Sequence, residues 1–154
     1  MELKVNGPRN RAPQTFVPFW QERGKRMTGN NHKNGSVFIY NKTRETFVAT
    51  EVTVADGYFS RLVGLLGKTK RWAKLGKALW IIPSQGVHTI GMMFPIDLIY
   101  LDKYKQVVHV EEHVRPFRVS KVSLKTKSVI ELPPHTIYRT GTQIGDQIEI
   151  TRPA

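Results

Sequence analysis

The stretch VHTIGMMFPIDLIYLD, residues 87–102, is the most apolar in the chain, yet it carries His88, Thr89, Asp97 and Asp102. It falls short of the ~18 apolar residues that span a bilayer, and Pro95 interrupts it. Its second half, DLIYLD at 97–102, reads as a strand. QVVHVEE at 106–112 then follows as its neighbour across the polar turn Lys103-Tyr104-Lys105. Working outward, KALWIIP at 77–83 and KSVIEL at 127–132 are further strands, the latter stopped by Pro133-Pro134, which cannot donate to a ladder. Upstream, VFIY at 37–40 and TFVATEVTVA at 46–55 flank the polar turn NKTRE as a hairpin. The apolar alternation of its second arm slips near Thr50, where a bulge is expected. QIGDQIEI closes the chain with a turn at Gly145-Asp146 and a last short strand.

Helical signals are few. Phe59, Leu62, Val63 and Leu66 recur on one face of a short helix over 57–66, ended by Gly67. His135 to Thr140 suits one helical turn after the paired prolines. Seven or so strands against these short helices predict a mainly β, compact single domain, a barrel or a sandwich, over 36–154. Residues 1–35 are rich in Gly, Pro and Asn with mostly basic charges, and read as a disordered, flexible basic tail. The aromatic cluster TFVPFW at 15–20 is its one apolar feature. Because Met27 precedes an Asn/Gly linker, residues 1–26 could be part of the natural protein or an extension upstream of its start, and the sequence leaves both open. No signal-peptide pattern and no membrane-length run occur, so a cytoplasmic location with no membrane insertion is expected.

The formal net charge is +12, from 24 Lys and Arg against 12 Asp and Glu. The charge is uneven: no acidic residue occurs between Gly57 and Pro95 or between His113 and Ile130. The first interval holds Arg61, Lys68, Lys70, Arg71, Lys74 and Lys77; the second holds Arg115, Arg118, Lys121, Lys125 and Lys127. Brought onto one face, they would attract phosphates or an acidic partner. Neither a recognition helix nor an aromatic platform accompanies them, so nucleic acid is a partner without a motif.

Several segments carry a resemblance in their order and spacing. GLLG at 64–67, VHTIGMMFPIDLIYLD at 87–102, VRPFR at 114–118 and SVIELPPHTIYRTGTQIGD at 128–146 resemble the domain of unknown function family 192, over roughly residues 45–151. The His-Thr and Phe-Pro-Ile-Asp wording is similar to a subgroup without signal peptides; other members carry a Trp-Met-Lys-Asn-Thr version. The resemblance implies a compact, mainly β domain and no established activity. Two departures stand out. Val63 occupies a position where many relatives have Arg, and Ser84 one where the subgroup often has Cys, so an activity resting on that thiol is not expected here.

The chemistry-bearing residues divide into open alternatives. His88 and Asp97 could meet at a barrel mouth with Arg61 or Thr89 and hold an anionic or polar ligand, or serve as an acid–base pair. Equally, Asp97 could cap backbone amides at the start of its strand while His88 bonds a loop carbonyl. A buried carboxylate needs a partner either way. A metal site can be considered from His88, His109, His113 and His135, but His109 and His113 lie about 13 Å apart on a strand at ~3.3 Å per residue, too far for one ion, so no metal site and no cofactor are expected. Met92, Met93 and Phe94 read as a hydrophobic plug. Glu111 and Glu112 point to opposite faces of a strand, which argues against a paired-carboxylate site. The reading that results is a non-catalytic binding or accessory module for a partner protein or small ligand. Its surface is placed around Arg61, His88, Thr89 and Asp97, flanked by Arg115 and Arg118. Polyanion binding and a His88/Asp97 enzyme are the alternatives.

Overall fold

The computed structural model describes residues 37–57, 74–120 and 123–151. The predicted tail, Arg61 and the predicted helix beyond Gly57 lie outside the described residues. Among the described residues there are seven strands and one short helix: β1 (Val37–Asn41), β2 (Thr46–Ala55), β3 (Lys77–Ile81), β4 (Ile96–Leu101), β5 (Val107–Val114), β6 (Ser128–Leu132), α1 (Thr136–Thr140) and β7 (Ile148–Thr151). They form one sheet in the order β5-β4-β6-β3-β2-β1-β7. Only β2 and β3 run parallel; the other pairings are antiparallel. Among the described residues no helix is long and apolar enough to cross a membrane.

The hairpin β1–β2 carries the expected irregularity, and its cause is visible. Ile39 faces Ala49 and Val37 faces Val52, so β2 has one residue more than β1 between these pairs. The extra amides of Thr50 and Glu51 both donate to the Gly76 carbonyl, at 2.8 and 2.9 Å. A second extra residue between Phe47 and Ala49 lets Val48 and Ala49, neighbours in sequence, both be buried. Bulges of this kind bend and twist a strand, and here the sheet curls into a half-barrel. Its two edges meet where β5 and β7 begin. Val107 donates to the Asp146 carbonyl at 2.9 Å, Gly145 to Val107 at 2.8 Å, and Ile148 to Lys105 at 3.0 Å. The fold is thus a curled single sheet, and the sandwich alternative is set aside.

One core fills the inside of the curl, drawing Ile39, Val48, Ala78, Ile99, Val107, Ile130 and Ile148 from the seven strands and Ile137 from α1. A second lies on the opposite face of β2 to β6, where Met92 and Phe94 from the loop before β4 cover Leu79, Ile81, Leu98 and Tyr100. Every residue of β4 is therefore buried, which explains its nearly continuous apolar sequence. Of the predicted plug, Met92 and Phe94 are in this core, but Met93 points outward with 73% of its surface exposed. Strand β3 is also shorter than expected, ending at Ile81 ahead of a cis Ile82–Pro83 bond.

A buried polar network ties the β1–β2 turn to the approach to β7. Asn41 Nδ2 donates to Asp146 Oδ2 at 2.9 Å and to Thr142 Oγ1 at 3.2 Å. Arg44 Nε reaches Asp146 at 3.0 Å, and the Gln143 amide donates to it at 2.9 Å. Burial on its own would raise the Asp146 carboxyl. The bonds from Arg44, Asn41 and Gln143 and the Arg44 charge outweigh it and hold the group below the ordinary carboxylate value. Asp146 therefore stabilises the fold above the ordinary carboxylate range, and that contribution is lost as pH falls through its own lower value. Asp146→Asn is expected to remove about 1–2 kcal/mol at neutral pH. It should also flatten the acid limb of a stability profile measured by urea unfolding; an unchanged limb in the variant would contradict this account.

Candidate functional site

Asp97 stands at the start of β4 with no exposed surface. Its Oδ1 accepts the backbone N–H of His113 in β5 at 2.9 Å, and its Oδ2 accepts that of Ile137 in α1 at 3.0 Å. Both oxygens thus satisfy backbone donors, and neither is hydrogen-bonded to His88. The amides belong to β5 and α1 rather than to the strand that Asp97 begins, where the sequence places the capping. The β4–β5 register explains the first bond. Ile96 faces Val114 while Leu98 faces Glu111, so one residue bulges from β5, and the turned-in amide of His113 meets the carboxylate.

Thr89 is equally enclosed, and every polar group of the residue is used on the 115–118 turn or its own loop. Its hydroxyl donates to the Arg115 carbonyl at 2.8 Å and accepts the Arg118 N–H at 2.8 Å. Its N–H donates to the Arg118 carbonyl at 2.7 Å, and its carbonyl accepts from Phe117 at 2.9 Å and Met92 at 3.2 Å. This clamp holds Phe117 at φ 61°, a left-handed conformation that an aromatic residue rarely adopts. Beside it His88 pairs with Val119 in an isolated bridge. Its Nδ1 is buried with no hydrogen-bond partner, so the expected bond to a loop carbonyl is not made from that atom.

The clamp produces a surface. Phe117 and Val119 are 68% and 71% exposed, and Ile90 and Met93 on the facing loop are exposed as well. Arg115 and Arg118, both exposed, flank them on a segment with no carboxylate between His113 and Ile130. Of the residues singled out in the sequence, the structure gathers Thr89, Arg115 and Arg118 through direct bonds and sets His88 alongside. Asp97 works on β5 and α1, and Arg61 lies outside the described residues. Among the described residues no group of three or more His, Cys, Asp or Glu is placed to hold a metal ion.

One polar residue that the sequence did not bring forward is Glu131. Leu79, Glu131, Leu98 and Glu111 form a row across β3, β6, β4 and β5 on one face. Glu131 keeps only 2% of its surface, and its Oε2 has no hydrogen-bond partner. Burial pushes its carboxyl up to about 8. On the same face the Tyr100 hydroxyl donates to Glu111 Oε1 at 2.6 Å, with His109 Nε2 at 3.7 Å from the same oxygen. Burial, then the bond and charge of Glu111, hold the Tyr100 phenol protonated far above its ordinary range, against a weaker opposing pull from Ser120.

Comparison with known proteins gives a consistent answer. The DUF192 family model, described as Uncharacterized ACR, matches residues 39–150. A UPF0127 protein of Thermococcus sibiricus is 31% identical over 117 residues, which cover 72% of this chain and 73% of that protein. A UPF0127 protein of Pyrococcus furiosus is 26% identical over 119 residues, covering 74% of this chain and 98% of its own length. Among solved structures, a protein of unknown function from Novosphingobium aromaticivorans superposes with a TM-score of 0.61 at 17% identity. That match covers 73% of this chain and 82% of the other. At that identity the likeness is one of fold.

Proposed function

We propose that this chain, which belongs to the DUF192 family of uncharacterised proteins, is a small non-catalytic binding module that docks an acidic protein surface. The docking ridge is Ile90, Met93, Phe117 and Val119, with Arg115 and Arg118 at its flanks. The observation that carries this reading is the exposed Phe117 ring, presented on a strained turn that Thr89 holds with five hydrogen bonds. Strain of this kind costs about 1–3 kcal/mol and persists where its surroundings enforce it. The product is an apolar anchor with guanidinium groups beside it, which suits a partner that pairs apolar contacts with carboxylates. An acid–base role for His88 and Asp97 has less support, because both Asp97 oxygens are committed to backbone amides.

The test places a photo-crosslinking residue at position 119 in the full-length chain. Expected is a protein adduct that resists nuclease, maps to an acidic segment of the partner, and is lost in Phe117→Ser and in Arg115→Glu/Arg118→Glu. Adducts to a second copy of the chain, adducts abolished by nuclease, or adducts that survive both variants would overturn the proposal.

A further inference from the structure

Two histidines far apart in the sequence meet in the fold. His113 lies near the end of β5 and His135 immediately precedes α1. Their rings stand with centroids 5.4 Å apart at an interplanar angle of 36°. Both side chains are exposed, and no hydrogen bond or ion pair among the described residues engages either ring. Both backbones are left-handed, with φ 54° at His113 and φ 67° at His135. A non-glycine residue in that region costs about 1–2 kcal/mol, so the pair is held at two strained positions at once. The same carboxylate organises both: Asp97 binds the His113 N–H at 2.9 Å and the Ile137 N–H, two residues beyond His135, at 3.0 Å.

We propose that the His113 and His135 imidazoles form a two-ligand site for a divalent transition-metal ion, of the class of Zn²⁺, Ni²⁺ and Cu²⁺. Imidazole nitrogen is a preferred ligand for these ions. With a metal–nitrogen bond of about 2.0–2.1 Å the ion sits about 3.1 Å from each ring centre, so a tetrahedral opening separates the two centres by about 5 Å. The observed separation of 5.4 Å is close to that value. Because both rings are exposed, rotation about their side-chain torsions can aim one nitrogen of each at a common point. Water completes the coordination, and binding is reversible. The site does not depend on the docking role proposed for the Phe117 ridge.

The test titrates the full-length chain with Zn²⁺ and Ni²⁺ by calorimetry and follows the imidazole resonances by NMR. It compares wild type with His113→Asn, His135→Asn and the double variant. Asparagine accepts the left-handed backbone, so the variants keep the fold, which unchanged thermal melting checks. Expected is paramagnetic broadening by Ni²⁺ centred on His113 and His135. Either single variant should lose about tenfold or more in affinity, because the second imidazole binds intramolecularly once the first is engaged. The double variant should also lose the one-imidazole binding that each single retains, and it measures any background from His32, His88, His109 and the amino terminus. Single variants that retain wild-type affinity, or broadening centred elsewhere, would overturn the site.

Discussion

Asp97→Ala is expected to lower the unfolding free energy by about 4 kcal/mol. The variant leaves two backbone donors without an acceptor, the buried Ile137 N–H and the part-buried His113 N–H. Each orphaned donor costs about 1–3 kcal/mol, and bonds to a carboxylate are the stronger kind. The loss falls on two elements together, since Asp97 is what joins the bulged end of β5 to the first turn of α1. A domain of this size holds about 5–15 kcal/mol in all, so the variant should melt markedly earlier. Asp97→Asn is the sharper comparison. Its side-chain oxygen can still accept one N–H, but its NH₂ meets the other donor head-on, so it should recover only part of the loss. An enzymatic Asp97 would behave otherwise: Asp97→Asn would keep the fold and lose turnover. Urea unfolding of the three proteins decides between them, and a wild-type midpoint for Asp97→Ala would refute the structural role.

Why much of this was legible in the sequence, and why some was not, follows from where each interaction is made. The strands at 37–41, 96–101 and 128–132 announce themselves through β-branched residues between turn residues, and the slip of alternation at Thr50 marks a true bulge. The turn after Pro133-Pro134 becomes α1, as its composition suggests. Sheet order is different. The parallel pairing of β2 with β3, and the meeting of β5 with β7, are long-range choices without a local pattern. The need of Asp97 for a partner was legible, but its partners are backbone N–H groups, which carry no residue signature. Candidates with side chains, Arg61 and His88, were the visible ones. Glu131 is hidden for another reason. In SVIEL the alternation assigns Val129 and Glu131 to one face, and a glutamate on a short strand reads as facing water. That face is instead covered by Met92 and Phe94 from a distant loop.

Glu131→Gln is expected to change the pH dependence of stability more than any other single substitution. The Glu131 carboxyl is raised from the ordinary value of 4.5 to about 8 by burial. In the unfolded chain it releases its proton near the ordinary value; in the fold it keeps the proton until pH approaches 8. Between these limits the folded state binds the extra proton, so stability falls as pH rises. The slope reaches about 1.4 kcal/mol per pH unit where only the folded form is protonated. The favourable contribution is complete below the unfolded value and is gone once pH passes the folded one. Glutamine has the same shape and no proton to lose. The variant should therefore match wild type near pH 4, exceed it by several kcal/mol above pH 8, and show a flat profile between, save for the Asp146 limb at acid pH. Urea midpoints measured in half-unit steps from pH 4 to 9 supply the comparison. A wild-type profile that is already flat across that window would mean that Glu131 is ionised in the fold and has a cationic partner, and the assignment of a neutral, unpartnered acid to the β6 face would fall with it.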